Sequence, residues 1–203
     1  MTSDIWLHQA RRVPSPNFND RPDQALELLV IHNISLPPKQ FGGPYVEQFF
    51  TNCLNHDLHP FFEEIRDVKV SAHLFIRRDG EVIQFVPLNK RAWHAGLSCF
   101  NERDNCNDFS IGIELEGYDD CPYSSEQYQS LVDVTVEITR LYPGICTEHI
   151  VGHSDIAPGR KTDPGSAFDW SRYRQALYQS ATVSAHHSEE LSDIISQYAE
   201  SKV

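Results

Sequence analysis

Short apolar runs typical of buried strands alternate along this chain with segments of helical periodicity, and this alternation restricts the possible folds most strongly. The run LELLVIHNIS (26–35) and the alternating run FSIGIELEGY (109–118) are predicted strands. Apolar residues recur at helical spacing in 45–56, and 124–144 begins with a Ser/Gln capping pair and ends at Pro-Gly. This order predicts one α/β domain with a mixed central β-sheet flanked by helices.

Shorter segments complete the predicted architecture. Residues 70–87 form two β-rich runs around Asp79-Gly80, which predicts a hairpin with a type I′ turn. Residues 148–153 are a predicted short strand, and 168–178 are a predicted last helix. In 109–118, the alternation places Ile111, Ile113 and Leu115 on one face of the strand and Gly112, Glu114 and Glu116 on the other.

Composition divides the chain into three parts. Residues 1–24 are polar and proline-containing, and predict an irregular leader packed on the domain. Residues 25–180 are the predicted folded domain. The polar tail 181–203 predicts either a short amphipathic helix or a frayed end.

Charge and cysteine content indicate the environment of the protein. The net charge of −12, from 17 basic and 29 acidic residues, argues against nucleic acid or an anionic membrane as a partner. The start of the chain has no basic segment followed by an apolar one, so we expect no secretory signal. The five irregularly spaced cysteines then predict free thiols in a reducing cytoplasm. We expect a cytoplasmic monomer.

Three residues lie at positions suited to a metal centre. His32 stands where an apolar strand enters a Pro/Gly loop, and His153 ends another strand. Asp163 follows in GHSDIAPGRKTDPG (152–165), a segment stiffened by prolines. Two imidazoles and one carboxylate make an open zinc site with a fourth position for water. The residues alone also fit two surface histidines and an ordinary Asp-Pro turn.

Other candidates have alternative interpretations. His149 rivals His153 as a ligand, although HIVGH is β-like and lacks the glutamate of a helical zinc pair. His73, within the hairpin, either faces a site or is a structural histidine. Glu114 and Glu116 either face solvent or supply a general base near the metal.

Two further segments offer groups that could contact a substrate. Lys161 precedes Asp163 by two residues and could place an ammonium group where an oxyanion develops. Trp93 and His94 are adjacent and could form a stacking wall for a ligand.

A series of motifs resembles a known family. They occur in the order LLVIHNIS, FGGP, VSAHLFIRRDGEVIQFVP, RAWHAG, CNDFSIGIELEG and GHSDIAPGRKTDPG. Together they resemble the zinc-dependent N-acetylmuramoyl-L-alanine amidases, which share a fold with T7 lysozyme and the peptidoglycan recognition proteins. The resemblance covers roughly residues 5–178. Within the family, the motifs are most similar to cytoplasmic amidases that act on 1,6-anhydro-muramoyl peptides during cell-wall recycling.

The resemblance implies a reaction and a role for each site residue. The reaction is hydrolysis of the amide between the lactyl group of N-acetylmuramic acid and L-alanine, with Zn²⁺ as cofactor and a muropeptide as substrate. The implied ligands are His32, His153 and Asp163. The remaining implied residues are Glu114 as base, Lys161 at the oxyanion, and Asn33, Trp93 and His94 at the substrate.

Some questions stay open at this level. The stretch FNERDNCNDFS (100–110) is variable in relatives, so the roles of Arg103 and Asn105 are undecided. An amidase that cuts polymeric peptidoglycan is one alternative. A non-catalytic peptidoglycan-binding module is another, but such modules lack at least one of the metal ligands.

Overall fold

The computed structural model describes residues 3–23 and 25–180. Within them, the strands are β1 (Arg11–Arg12), β2 (Phe18–Asn19), β3 (Leu28–Ile34), β4 (Leu74–Ile76), β5 (Val82–Gln84), β6 (Arg91–Ala92), β7 (Cys99–Phe100), β8 (Arg103–Asp104), β9 (Ser110–Glu116) and β10 (Ile150–Gly152). The helices are α1 (Tyr45–Phe50), α2 (Pro60–Glu64), α3 (Ser125–Leu141), α4 (His153–Ile156) and α5 (170–180). The predicted tail 181–203 lies outside the described residues.

The main sheet has six strands in the order β1-β5-β4-β9-β3-β10. Only β4 and β5 pair antiparallel, whereas the other neighbours pair parallel, so the predicted mixed sheet is confirmed. The two long central strands, β3 and β9, pair from Leu28↔Ser110 to Ile34↔Glu116. Both are almost wholly buried, as the near-continuous apolar run of β3 predicts for a strand covered on both faces.

Helices cover both faces of this sheet. Alternate residues of β9, namely Ile111, Ile113 and Leu115, pack in one cluster with α3 and α5. A second cluster on another part of the sheet contains Phe75 and Phe85 together with side chains of α1 and α2. The predicted division of the β9 side chains is therefore confirmed, and it leaves Gly112 and Glu114 on the face opposite α3.

The ends of some elements differ from the predictions. The predicted type I′ turn is wrong, because Gly80 has φ +86° whereas Asp79 is not among the residues with positive φ. The loop instead has three residues, with Arg77 N–H donating to the Glu81 carbonyl at 3.0 Å. The helix predicted over 45–56 already ends at Phe50.

Other predicted features keep their place. Ser124 and Gln127 form the predicted capping box at the start of α3, with Gln127 N–H donating to Ser124 Oγ at 3.0 Å. Residues 3–23 are irregular apart from two two-residue strands, which were not predicted: β1 pairs with β5 at the sheet edge, and β2 pairs with β6. All five cysteines are free. No helix in 3–23 or 25–180 has the length and apolar character needed to cross a bilayer.

Candidate metal and catalytic centre

Three parallel strands of the sheet bring candidate residues together at their carboxyl ends. His32 lies near the carboxyl end of β3, and Glu114 is its direct partner in the register of β9. His153 follows β10 immediately and is the first residue of α4. In open α/β sheets, ligands bind beyond the carboxyl ends of the strands, and this site has that position.

The loop after α4 is fixed so that Asp163 faces the two histidines. Ser154 N–H donates to the Asp163 carbonyl at 3.0 Å, and the Tyr123 hydroxyl donates to the Pro164 carbonyl at 2.8 Å. Gly152 allows Pro164 to approach, since a Cβ at position 152 would lie 2.8 Å from the proline ring. The stiff segment identified in the sequence is therefore anchored at Asp163 itself and at the following residue, Pro164.

The three candidate ligand atoms form a small triangle. His32 Nδ1 lies 3.0 Å from His153 Nδ1, and each of these nitrogens lies 3.0 Å from Asp163 Oδ2. Both imidazoles are almost fully buried, and Asp163 is 9% exposed. Ligands at about 2.0–2.1 Å from a tetrahedral zinc stand roughly 3.3 Å apart, so the spacing suits that ion.

The number of protons available to these three atoms also favours a bound cation among them. His153 Nε2 lies 3.0 Å from the Ala95 carbonyl, which only accepts, so the proton of the neutral ring is on Nε2. His153 Nδ1 then presents a lone pair, as does the Asp163 carboxylate. His32 Nδ1 carries at most one proton for these two neighbours. A positive ion satisfies all three atoms together, so the residues fit a metal.

Burial and mutual contacts set the charge states of the triad. Burial lowers the pKa of His32 to about 4, although the hydrogen bond with Asp163 opposes the change. Burial alone would raise the pKa of Asp163, but the hydrogen bonds with His153 and His32 outweigh it and lower the pKa. The centre therefore holds a carboxylate and a neutral His32 at pH 7, which are the forms that bind metals.

Glu114 places a carboxyl group beside the triad. Its Oε2 atom is buried and has no hydrogen-bond partner within the described residues. Burial raises the pKa of Glu114 well above its ordinary value, the charge of Asp163 raises it further, and the charge of Lys161 lowers it. Lys161 is exposed and lies close enough for its charge to act on Glu114 and His32. An unpartnered carboxylate oxygen of this kind is free to accept a proton from water.

Of the implied substrate residues, Asn33 and Trp93 each donate a hydrogen bond to a polar side chain, and His94 contacts the nitrogen of His32 that faces away from the metal triangle. Asn33 Nδ2 donates to Asp119 Oδ1 at 3.0 Å. Trp93 Nε1 donates to Asn19 Oδ1 at 2.7 Å, and the ring is half-buried. Both ring nitrogens of His94 are already within hydrogen-bond distance of protein groups.

The rival histidines have contacts elsewhere. His149 Nδ1 contacts the Glu27 carbonyl at 2.9 Å, and this residue does not join the triangle. His73 is buried, and its Nδ1 accepts from Gly112 N–H at 3.0 Å, so it has the structural contacts of the second interpretation.

Residues 103, 105 and 116, whose roles the sequence left undecided, have contacts with neighbouring groups. Arg103 lies over the Phe109 ring at 4.0 Å, and Asn105 has φ +59° at the start of a short 3-10 turn. Glu116 is buried rather than facing solvent, and it accepts from Gly42 N–H at 2.6 Å and from Arg78 N–H at 3.0 Å.

Two residues at the site gave no signal in the sequence. Arg160 Nη2 donates to the carbonyls of Ala95 and Leu97 at 2.7 and 2.5 Å, which links the ligand loop to the loop after β6. Asn107 Oδ1 accepts from two backbone N–H groups of that same loop. Both act on backbone groups distant in sequence, and no local spacing distinguishes such residues.

The site brings two imidazoles and a carboxylate to one point at the carboxyl ends of the strands, and a second carboxylate with an unpartnered oxygen lies beside them. These are features of a metal-dependent hydrolase of the α/β class. The comparison with family models is more specific. The model described as N-acetylmuramoyl-L-alanine amidase matches residues 22–166, and the chain belongs to this family of enzymes.

Individual relatives agree with this assignment. 1,6-Anhydro-N-acetylmuramyl-L-alanine amidase AmpD of Enterobacter cloacae is 57% identical over 177 residues, which cover 87% of this chain and 94% of the relative. A crystal structure of a selenomethionine AmpD derivative matches with a TM-score of 0.84 and 52% identity, covering 87% of this chain and 99% of that one.

A more distant solved structure contains a substrate. It is the complex of the amidase AmiD from Escherichia coli with anhydro-N-acetylmuramic acid-L-Ala-D-gamma-Glu-L-Lys. It matches with a TM-score of 0.55 and 28% identity, covering 79% of this chain and 65% of that one. That protein therefore binds an anhydromuramyl peptide.

Proposed function

We propose that this protein is a zinc-dependent amidase that hydrolyses the bond between the lactyl group of 1,6-anhydro-N-acetylmuramic acid and L-alanine. The observation that supports it most directly is the triangle of His32, His153 and Asp163 beside the unpartnered Oε2 of Glu114. The family assignment gives this arrangement its reaction.

The metal requirement follows from the donor atoms. His32 Nδ1, His153 Nδ1 and one oxygen of Asp163 would hold the ion, and a fourth position would stay open. Zinc bound there would polarise the carbonyl of the substrate and lower the pKa of a water molecule towards neutrality. Among the described residues, this ligand cluster contains no cysteine thiolate.

Glu114 and Lys161 provide the chemistry of the chain itself. Glu114 Oε2 takes a proton from the attacking water as the water oxygen bonds to the lactyl carbonyl carbon. When the C–N bond breaks, Glu114 returns this proton to the nitrogen of L-alanine, which leaves as the free amine. The exposed ammonium of Lys161 stabilises the negative charge that develops on the carbonyl oxygen.

The soluble anhydro form is the proposed substrate for two reasons. The relatives with more than half of their residues identical are named 1,6-anhydro-N-acetylmuramyl-L-alanine amidases. The five free thiols and the net charge of −12 suit a reducing cytoplasm and a small diffusible fragment better than an anionic envelope. We propose Asn33 and Trp93 as wall residues for this substrate, and cleavage of polymeric peptidoglycan is the alternative.

The test compares two substrates and two variants. Purified protein is assayed for zinc content and is then given anhydro-muramoyl tripeptide or intact sacculi at equal amide concentration, with products identified by mass spectrometry. We expect kcat/KM to favour the soluble substrate by at least about tenfold, or ~1.4 kcal/mol. Equal or faster cleavage of sacculi would favour the alternative substrate.

The variants separate metal binding from proton transfer. Asp163→Ala should lose most of its zinc and its activity. Glu114→Gln keeps the side-chain shape, so it should retain zinc and lose roughly 10²–10⁴ in kcat. Stoichiometric zinc with normal turnover in Asp163→Ala would contradict the proposed ligand set.

A further inference from the structure

The outer nitrogens of both candidate metal ligands contact two consecutive residues. His32 Nε2 lies 2.9 Å from His94 Nδ1, and His153 Nε2 lies 3.0 Å from the Ala95 carbonyl. With Nδ1 of His32 facing the metal position, its proton is on Nε2 and is donated to His94 Nδ1. The side chain of His94 and the carbonyl of Ala95 therefore set the rotation of the two imidazole rings.

One buried side chain holds this segment. Asn107 Oδ1 accepts from His94 N–H at 3.0 Å and from Ala95 N–H at 2.8 Å. Asn107 is 7% exposed, and its main-chain carbonyl accepts a hydrogen bond from Arg21 Nη1 at 3.0 Å. Because a single oxygen serves both N–H groups, the loss of this oxygen would release both supports together.

The ring of His94 is fixed on its other sides. His94 Nε2 lies 3.1 Å from Ser110 Oγ, which accepts its proton once Nδ1 has accepted from His32. The ring packs directly on the backbone of Gly112, where a Cβ would lie 2.4 Å from the ring atoms. This close contact requires glycine and leaves His94 little room to move away from His32.

We infer that segment 94–95 is the shared outer support of both metal-binding imidazoles and that His94 and Asn107 are positioning residues for the metal centre. The inference rests on the metal site of the proposed function. It gives His94 a role behind the metal rather than against the substrate. Outer partners of metal-bound histidines set the tautomer and orientation, and their loss typically weakens metal affinity by 10–100-fold.

The test measures the zinc dissociation constant by competition with a chromophoric chelator. Asn107→Leu removes the accepting oxygen at similar volume, whereas Asn107→Asp keeps it. We expect Asn107→Leu to bind zinc about 10–100-fold more weakly and Asn107→Asp to stay within about threefold of wild type. The visible spectrum of the cobalt-substituted protein should change in Asn107→Leu, because it reports the ligand geometry.

Asn17→Leu is the matched control. Asn17 is 2% exposed, and its Nδ2 donates to the Val70 carbonyl at 2.8 Å and to Asn52 Oδ1 at 2.9 Å, so it also ties buried segments together. None of the hydrogen bonds of the Asn17 side chain involves segment 94–95. We expect a lower melting temperature with an unchanged zinc dissociation constant and cobalt spectrum.

A second pair of variants keeps the test decisive if Asn107→Leu does not fold. His94→Asn retains an acceptor near the position of Nδ1, and His94→Leu removes it. The inference requires weaker zinc binding in His94→Leu with partial or full recovery in His94→Asn. If the members of a pair bind zinc equally, or if Asn107→Leu matches Asn17→Leu, the inference is overturned. Failure of the wild-type protein to bind zinc would instead refute the proposed metal centre.

Discussion

Burial of His73 makes the stability of this fold depend on pH. Burial lowers the pKa of His73 to about 3, and the nearby charge of Arg21 contributes. Arg21 Nη2 lies 2.9 Å from His73 Nε2, the Lys90 carbonyl lies 3.0 Å from the same nitrogen, and the His94 ring is 5.7 Å away. The unfolded chain, in contrast, binds a proton at this histidine near pH 6.5.

The sign and size of the effect follow from linkage. Between about pH 3 and pH 6.5 the unfolded chain binds more protons than the folded protein, so His73 makes the free energy of unfolding fall as pH falls. The contribution is fully present above pH 6.5. At about 1.36 kcal/mol per pKa unit, lowering the pH from 7 to 5 costs about 2 kcal/mol through this residue.

Urea denaturation of wild type and His73→Asn at pH 7, 6 and 5 measures the effect. The asparagine oxygen can still accept from Gly112 N–H but does not titrate, and the other histidines are common to both proteins. We expect the free energy of unfolding of the wild type to fall by about 2 kcal/mol more than that of the variant. Parallel pH dependence in the two proteins would refute the reasoning.

Three other substitutions test the site and its supports. Lys161→Met should keep zinc affinity and lose about 10²–10³ in kcat, measured by steady-state assay, because the oxyanion loses its ammonium partner. Gly112→Ala forces the His94 ring away and should weaken zinc binding in the chelator assay, with about 1–3 kcal/mol lower stability; unchanged affinity would mean that the ring adapts. Glu116→Gln leaves one of two backbone N–H groups without an acceptor and should lower stability by about 1–3 kcal/mol in urea, with a far smaller loss of kcat than Glu114→Gln.

Features that depend on local pattern were predictable from the sequence. The apolar run of β3, the alternation in β9 and the capping box at Ser124 each report a property of neighbouring residues, and the structure confirms all three. The resemblance also singled out His32, His153 and Asp163, which the structure brings together. Spacing alone left this set undecided, because the pairing of β10 with β3, which brings His153 beside His32, is a tertiary property.

Features that depend on distant contacts were not predictable in this way. Asp79-Gly80 satisfies the pattern of a two-residue turn, but Asp79 Oδ1 accepts from Glu81 N–H at 3.0 Å and a longer loop forms. Asn107 stands among polar residues in a loop, and its two partners precede it by 13 and 12 residues. His94 sits beside a tryptophan, which suggested a ligand wall, and local spacing gave no sign that its ring also contacts Gly112 and His32.

The separation of His32 and Asp163 by 131 residues has a consequence for the lifetime of the protein in a cell. Unfolding of the central sheet would separate the donors, so a bound ion stabilises the protein against global unfolding as well as against local opening of the segment that carries His153 and Asp163. At free zinc 100 times the dissociation constant, mass action adds about 2.7 kcal/mol to the free energy of unfolding. Under zinc starvation, the globally unfolded population that proteases attack would therefore rise by about two orders of magnitude. Zinc supply would then regulate the abundance of this protein as well as its turnover.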